Sequence, residues 1–408
     1  MNKGRDKTIN LVRQAFREFY YNNYNLIEVP NAIEEREFGY SKFDGTMVRH
    51  LTFKSSKELT ALLIREVPAD VYCSSAYYSN PTRTMQEKGL KGADLIFDID
   101  IKELKPYCAE RHDAYLCSIC GNSIQSDGIC DKCGSSSIKH IPIPCNECIN
   151  LGKNEVRKLL NILEDDFDID SSNKDEVGVY FSGNNGFHVH IKGHYTNLNS
   201  NARAEIVNYI SAKGLVQDIL FKSISIKIKG KKDREVRRTK DDPYIIKKRD
   251  NKASSNIRLL LNPNGYGWVG RISRYILHDR NNKNNKYISN NNNYYADASV
   301  IANALLELSV RIDPNVTIDI HRIFRLAGTL NSKSSLAKII CTDLNSFNPF
   351  NDACFIDDRE VYAYIIKAPK FTLKGNTFGP FIEEYAKIPL YAFCYLACKG
   401  LASVAEVN

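Results

Sequence analysis

Apolar residues recur along this chain at two spacings, one typical of helices and one of strands. Near the N-terminus they repeat every three or four residues: Ile9, Val12, Phe16 and Phe19. That period predicts an amphipathic helix. Residues 156–163 predict a second helix, and the apolar run 389–397 has the length of a buried helix. Residues 26–100 instead alternate short apolar runs with turns, so we expect both helices and strands.

One strongly apolar run ends in two carboxylates at strand spacing. Leu95, Phe97 and Ile99 share one face of the predicted strand. Asp98 and Asp100 share the other face, where their like charges repel. A divalent cation would offset this repulsion, and enzymes that transfer phosphoryl groups with two metal ions need such a pair. The alternative is a strand end that carries two solvated acids.

A glycine-rich turn joins two further predicted strands, 177–181 and 187–191. The turn sequence at 182–186, Ser-Gly-Asn-Asn-Gly, suits a tight connection with positive φ angles. Backbone N–H groups in such turns point at anions, so Ser182, the turn and His188 together suggest a phosphate site. The alternative is that His188 is a satisfied core residue.

The composition is that of an ordinary globular protein, with 43% hydrophobic and 25% charged residues among 408. This length predicts two or three domains. No apolar stretch approaches the about 18 residues of a membrane-spanning helix. The polar N-terminus, residues 1–7, lacks a signal-peptide core. We therefore expect a cytoplasmic protein with no membrane partner.

The net charge of +8 is concentrated in one segment. Residues 222–249 contain twelve Lys and Arg and four Asp and Glu, an excess equal to that of the whole chain. Clustered basic charge predicts binding to a nucleic-acid backbone. The alternative is a solvated surface ribbon.

Seven of the twelve cysteines lie between residues 108 and 148, which favours metal ligands over disulfides. Four have the paired spacing of a zinc knuckle: Cys117, Cys120, Cys130 and Cys133. Four more ligands surround them and could close a second zinc site: Cys108, His112, Cys145 and Cys148. A competing pairing puts His140 in place of His112. Both sites would be structural, because four protein ligands leave no open coordination position.

Several short motifs follow one another along the chain. They are Arg-Glu-Phe-Gly-Tyr at 36–40, Met-Val-Arg-His at 47–50, Ser-Ala-Tyr-Tyr at 75–78, the carboxylate strand at 92–100, Tyr-Phe-Ser-Gly-x-x-Gly-Phe-His at 180–188, Asp-x-Asn-Val-Thr at 313–317 and Arg-Leu-x-Gly-Thr-Leu at 325–330. Their order and spacing resemble the catalytic small subunit of archaeal-eukaryotic DNA primase. The resemblance covers roughly residues 10–345.

This resemblance implies the primase fold, an α/β catalytic domain of the α+β type with mixed sheets and flanking helices. The catalytic domain would be discontinuous, residues 1–107 and 150–345, with a zinc-binding insert at 108–149. The C-terminal segment 369–408 is expected to be a small β-rich domain, similar to the B domain of archaeal GINS replication proteins. Such a domain would dock other replisome proteins.

The resemblance further implies template-directed nucleotidyl transfer with two divalent ions, Mg²⁺ or Mn²⁺. The positions that match the family's metal-binding carboxylates are Asp98, Asp100 and Asp313. The ions would bridge the incoming triphosphate and activate the primer 3′-hydroxyl. Further positions match nucleotide contacts of the family: Ser182, Gly183, His188, Arg325 and Arg49.

Two positions depart from the family's pattern. Asn185 stands where the family commonly has arginine, and Asn331 stands where it commonly has histidine. Asparagine can form hydrogen bonds but carries no charge, so we expect weaker nucleotide affinity. Lys333, Arg322 or the basic segment would have to supply the missing charge.

The leading hypothesis is therefore a DNA primase catalytic subunit that makes short RNA primers, and DNA strands too. Its expected partners are single-stranded DNA, nucleoside triphosphates and a large, iron–sulfur-containing primase subunit with which it forms a heterodimer. Two alternatives are a repair-type primase-polymerase and a non-catalytic zinc-ribbon nucleic-acid-binding protein.

Overall fold

The computed structural model describes residues 2–124, 128–215, 237–239, 242–248, 256–278, 287–290 and 293–405. Most of the basic segment 222–249 lies outside these residues. The nucleic-acid contact expected there stays a prediction.

Ten α-helices occur in the described residues. They are α1 Asn2–Asn22, α2 Ser56–Glu66, α3 Ala109–His112, α4 Asn146–Phe167, α5 Ser200–Ile210, α6 Gly267–His278, α7 Ala298–Leu308, α8 Pro314–Ile318, α9 Pro349–Asp352 and α10 Leu390–Lys399. Short 3₁₀ helices span Tyr24–Leu26, Ile33–Glu35, Ile101–Leu104 and His194–Asn197.

The same residues form twenty-three strands. They are β1 Phe38–Ser41, β2 Met47–Leu51, β3 Asp70–Ser74, β4 Ala76–Tyr78, β5 Leu90–Ala93, β6 Leu95–Asp100, β7 Ala114–Cys117, β8 Ser123–Ile124, β9 Ile138–Ile141, β10 Val177–Phe181, β11 Gly186–Ile191, β12 Arg237–Thr239, β13 Asp242–Lys248, β14 Asn256–Leu260, β15 Tyr287–Asn290, β16 Asn293–Asp297, β17 Ile323–Arg325, β18 Ile339–Ile340, β19 Glu360–Ala368, β20 Phe371–Leu373, β21 Asn376–Phe378, β22 Phe381–Pro389 and β23 Ala402–Val404. The predicted α+β class is confirmed.

Two four-stranded sheets position the candidate site. Their strand orders are β17-β3-β1-β2 and β18-β10-β11-β6, and every pairing is antiparallel. In the second sheet Asp98 lies opposite His188 and Asp100 lies opposite Gly186. The ring of Phe324 on β17 lies 6.1 Å from that of His188 on β11, which brings the two sheets together.

The two faces of β6 differ as the alternation predicts. Leu95, Phe97 and Ile99 are fully buried, whereas Asp98 and Asp100 are partly exposed. Helix α4 packs closely against β11. A Cβ on Gly152 of this helix would come within 3.0 Å of the Phe187 side chain. The apolar face of this sheet thus forms core, and Asp98 and Asp100 on the other face remain partly accessible.

The predicted terminal helices are both confirmed. Helix α1 buries Val12, Phe16 and Phe19 and contacts α10 and β23. The backbone N–H of Val404 donates to the Thr8 hydroxyl at 3.0 Å. Helix α10 is almost entirely buried and contacts a three-stranded sheet of order β22-β19-β23.

The chain divides into two compact units. One comprises Met1–Val156, Ser172–Arg203 and Ile312–Asn408, and the other comprises Arg157–Ser171 and Ala204–Arg311. The first contains both four-stranded sheets, the cysteine-rich region and the C-terminal strands. The second contains α6, α7 and a five-stranded sheet of order β12-β13-β14-β16-β15.

The zinc insert and the C-terminal domain both fall within the first unit, and their boundaries as separate domains stay predictions. In the described part of the chain, none of the helices has the length and apolar character needed to cross a membrane.

Candidate active site

The three carboxylates that match the family's metal ligands lie near the end of β6. Asp98 and Asp100 lie on this strand, and Asp313 caps the N-terminus of α8. The backbone N–H of Asp313 donates to the carbonyl oxygen of Asp98 at 3.0 Å, which joins two distant parts of the chain. Burial, together with the charges of Asp100 and Asp313, raises the pKa of Asp98 to about 7. Carboxylate oxygens are the hard ligands that divalent cations such as Mg²⁺ and Mn²⁺ prefer.

Arg203 fixes the two segments that carry these carboxylates. Its side chain is buried and donates to the carbonyl oxygens of Ala93 at 2.6 Å and Asp94 at 3.0 Å, just before β6. It also reaches the carbonyl of Thr317 in α8 at 3.5 Å. The Thr317 hydroxyl donates to the carbonyl of Ile96 at 2.8 Å. Helix α8 is thereby held against β6.

The turn at 182–186 has the conformation that its sequence predicts. Gly183 has a φ of +85°, and a Cβ there would lie 3.1 Å from the backbone nitrogen of Lys338. A Cβ on Gly186 would collide with the carbonyl oxygen of Ile99, so glycine permits the close approach to β6. The turn therefore brings backbone next to the carboxylate strand.

His188 projects from β11 beside Asp98. Its Nε2 lies 3.4 Å from Oδ1 of Asp98, and its Nδ1 lies 3.2 Å from Nζ of Lys338. Burial, helped by the nearby charges of Lys338 and Arg325, holds the pKa of His188 well below its ordinary value. The imidazole is therefore neutral, so it can donate one hydrogen bond and accept another.

Arg325 is held by a carboxylate that the sequence motifs did not reveal. Its Nη1 donates to Oδ1 of Asp70 at 2.6 Å and to the carbonyl of Leu330 at 2.9 Å. Asp70 also accepts from the N–H and hydroxyl of Ser332 at 2.9 and 2.7 Å. Burial opposes ionisation of Asp70, but the Arg325 charge and the Ser332 hydrogen bonds keep its pKa below the ordinary value. Arg325 is thus pre-oriented by an ionised partner.

These groups meet in one cleft of about 300 Å³. The predicted residues that line it are Asp98, Asp100, Ser182, His188 and Arg325. Arg322 and Lys333 add two cations, and Asn185 and Asn331 also line the cleft. The side-chain oxygen of Asn185 is buried with no hydrogen-bond partner among the described residues. The cleft thus combines an acidic edge with a cationic one.

Two predicted residues adjoin the cleft without lining it. Asp313 is hydrogen-bonded through its backbone to Asp98, and Gly183 follows Ser182. Arg49 lies elsewhere, on the edge strand β2. Its Nε donates to Glu37 at 3.0 Å, and Glu37 also pairs with the buried Lys88. The nucleotide contact expected of Arg49 stays a prediction.

The inner cysteine group is assembled as its spacing predicts. Its four ligand atoms, from Cys117, Cys120, Cys130 and Cys133, all lie within 4.8 Å of one another. The Sγ–Sγ distances are 3.5 Å for Cys117 and Cys133 and 3.6 Å for Cys120 and Cys130. Four sulfurs bound about 2.3 Å from one zinc lie about 3.8 Å apart, so this donor set fits a tetrahedral zinc ion.

The outer group is also assembled, and it contains His112. Its four ligand atoms, from Cys108, His112, Cys145 and Cys148, lie within 4.8 Å of one another. The competing residue His140 is engaged elsewhere, with its Nε2 2.6 Å from Oδ2 of Asp113. The other Asp113 oxygen lies 2.9 Å from Nδ1 of His112, whose Nε2 faces the Cys148 sulfur at 3.3 Å. The geometry therefore favours the pairing with His112, which Asp113 orients.

Comparisons with known proteins agree with this arrangement. The family model of the DNA primase small subunit matches residues 139–342. A DNA primase small subunit PriS from Nitrosopumilus maritimus is 38% identical over 97% of this chain and 99% of its own length. The chain belongs to the DNA primase small subunit family. It is therefore an enzyme, a primer-synthesising nucleotidyltransferase, as the motifs predict.

Two more members of the DNA primase small subunit family show how far the match extends. The PriS of Cenarchaeum symbiosum is 38% identical over 98% of this chain and 100% of its own length. That of Saccharolobus solfataricus is 30% identical over 93% of this chain and 90% of its own length. The comparisons give no support for a repair-type enzyme or a non-catalytic zinc-ribbon protein. The expected likeness of residues 369–408 to a GINS B domain is not confirmed.

Three buried residues near the site were not identified from the sequence motifs of this primase subunit. They are Asp70, Arg203 and Lys338. Asp70 begins an apolar strand, which is a weak signal for a functional carboxylate. Arg203 and Lys338 give no signal in the sequence, because basic side chains are ordinarily exposed. Their burial against the active-site elements is what distinguishes them.

Proposed function

We propose that this subunit extends a primer on single-stranded DNA in the cleft formed by β6, β11 and β17. Asp98, Asp100 and Asp313 would be the ligands of two Mg²⁺ or Mn²⁺ ions. The observation that supports this proposal is the hydrogen bond from the backbone N–H of Asp313 to the carbonyl oxygen of Asp98, which brings the two backbones together. Bound there, the ions would lower the pKa of the primer hydroxyl and neutralise charge on the leaving pyrophosphate.

The protein's own groups would bind and orient the triphosphate. Arg325, Arg322 and Lys333 line the cleft and would hold its phosphate oxygens by charge-assisted hydrogen bonds. The N–H groups of the turn at 182–186 would contact the same anion. His188 would donate from Nε2 to a phosphate oxygen or to Asp98. Asp70 holds Arg325, and Lys338 contacts His188, before the nucleotide arrives, so these two donors need little reorganisation in the transition state.

The two asparagines define how this cleft differs from the family's pattern. Neither Asn185 nor Asn331 can contribute positive charge to triphosphate binding. Arg322 and Lys333 lie in the same cleft, which supports their role as the compensating cations. Weaker nucleotide affinity than is usual in the family stays our expectation.

We also propose that the two cysteine groups hold structural zinc. Both offer four soft or borderline ligands and no open position, so neither supplies chemistry. Zinc bound there would stabilise the short strands β7, β8 and β9.

Replacing Cys108 by alanine is expected to reduce the zinc content from two ions per chain to one. The inner group does not share this ligand and should keep its ion. Elemental analysis of the purified protein measures the change. The matched control is Cys354→Ala, because Cys354 is a buried thiol outside both groups. A wild-type content below two ions would refute the two-site assignment.

The partners in this proposal follow from the family. The template is single-stranded DNA, the substrates are nucleoside triphosphates, and a large primase subunit forms the heterodimer. A cytoplasmic location and docking of other replisome proteins on the C-terminal segment stay predictions.

A synthesis assay tests the proposal. Purified protein, alone and with the large subunit, is incubated with a single-stranded template, Mg²⁺ or Mn²⁺, and labelled ribo- or deoxyribonucleoside triphosphates. We expect product whose sequence is complementary to the template and whose formation stops on chelation. Template binding without synthesis under every one of these conditions would refute it.

A further inference from the structure

A buried lysine lies behind the candidate active site. Lys338 immediately precedes β18 and is 1% exposed. Its amine contacts Nδ1 of His188 at 3.2 Å, Nε2 of His190 at 3.2 Å and the carbonyl oxygen of Arg325 at 3.0 Å. It has no salt-bridge partner among the described residues. Burying an amine without a carboxylate is costly, so these three contacts need a reason.

Counting donors fixes the proton of the His188 imidazole. Burial lowers the pKa of the Lys338 amine to about 7. Its charged form offers three N–H donors and its neutral form offers two. One donor goes to the Arg325 carbonyl oxygen, which can only accept. Because Nε2 of His188 faces the Asp98 carboxylate at 3.4 Å, a second donor goes to Nδ1 of His188, and the ring then carries its proton on Nε2.

The tautomer of His188 decides whether Nε2, the ring nitrogen that faces the cleft, carries a proton. Its Nε2 lies 3.4 Å from Oδ1 of Asp98, and the ring lines the cleft. A proton on Nε2 lets the ring donate to Asp98 or to a phosphate oxygen. A proton on Nδ1 would instead direct a lone pair at these anionic oxygens. The two tautomers therefore interact with a nucleotide in opposite senses.

We propose that Lys338 is a positioning residue for nucleotide binding, which holds His188 in the tautomer with its proton directed into the cleft. Its contact with the Arg325 carbonyl also holds the strand that carries the triphosphate-binding guanidinium. Lys338 does not itself line the cleft, so its effect passes through His188. This inference rests on the proposed role of His188.

Nitrogen NMR of histidine measures the tautomer directly. In protein labelled with ¹⁵N-histidine and free of substrate, we expect His188 to have a protonated Nε2 and an unprotonated Nδ1. The spectrum of His188→Gln assigns the signals. In Lys338→Met, which keeps the side-chain length and removes the donors, His188 should populate both tautomers. A wild-type His188 with its proton on Nδ1 would overturn the proposal, and this result needs no variant to fold.

Kinetics separate positioning from stability. In Lys338→Met we expect the KM for the nucleotide to rise about tenfold, with a smaller change in kcat. The matched control is Lys399→Met, because Lys399 is also buried and donates to a single carbonyl, that of Pro142 at 2.9 Å. A Lys338 variant with an unchanged tautomer and KM but lower thermal stability would show a structural role alone. A wild type that makes no product would refute the proposed function and leave the NMR result standing.

Discussion

Replacing Asp98 by asparagine is expected to lower the rate of primer synthesis at least about a thousandfold while the fold persists. Asparagine keeps the shape of the side chain but loses the charge that would bind both ions. Burial and the acidic neighbours of Asp98 raise its pKa to about 7. Synthesis on a single-stranded template measures the loss, and gel-shift titration should show unchanged template binding.

The stability of the same variant follows from the sign of that pKa shift. An acid whose pKa is raised on folding stabilises the protein at low pH and loses this stabilisation as pH rises toward 7. Without metal, Asp98→Asn should not lose stability as pH rises toward 7. Its melting temperature at pH 8 should be no lower than that of wild type. The matched control is Glu103→Gln, because Glu103 is an exposed carboxylate just beyond β6. Full activity in Asp98→Asn, or its equal loss in the control, would contradict the assignment.

Replacing Arg325 by glutamine is expected to lower kcat/KM for the nucleotide by about 10- to 100-fold, mainly through KM. The change removes a guanidinium that lines the cleft and that Asp70 orients at 2.6 Å. Steady-state kinetics over a range of nucleotide concentrations measures it. Arg359→Gln is the matched control, because Arg359 pairs with Glu18 in α1, away from the cleft.

A double-mutant cycle tests how Asp70 acts. Asp70→Asn should raise KM less than Arg325→Gln does, because the guanidinium remains but is no longer fixed. In the double variant the two effects should not add, since Asp70 would act through Arg325. Additive losses would mean that Asp70 contributes to the reaction independently of Arg325.

Much of the site can be predicted from short stretches of sequence, because strand alternation and turn composition determine local structure. Alternation along β6 places Asp98 and Asp100 on the face opposite Leu95, Phe97 and Ile99, and the glycines of the turn after β10 determine its backbone. The third carboxylate, Asp313, came from resemblance to the family and not from spacing. Nothing local to Asp313 indicates that its N–H reaches the Asp98 carbonyl.

The rest depends on contacts between segments that are distant in sequence. The choice of His112 over His140 depends on which ring Asp113 directs toward the sulfurs. The spacing of the cysteines does not predict which ring that is. The pairing of Arg325 with Asp70 joins β17 to β3, which no pattern along one strand predicts. The burial of Lys338 likewise appears once the sheets are assembled.

Binding of Mn²⁺ to Asp313→Asn tests the central claim most directly, because Asp313 lies more than 200 residues from Asp98 and meets it through tertiary structure alone. Wild type, Asp98→Asn and Asp313→Asn are titrated with Mn²⁺ in the presence of a non-hydrolysable nucleoside triphosphate, and bound metal is counted by electron paramagnetic resonance. If the three carboxylates share one site, both variants should bind Mn²⁺ at least about tenfold more weakly than wild type. Wild-type Mn²⁺ affinity in Asp313→Asn would contradict the shared site.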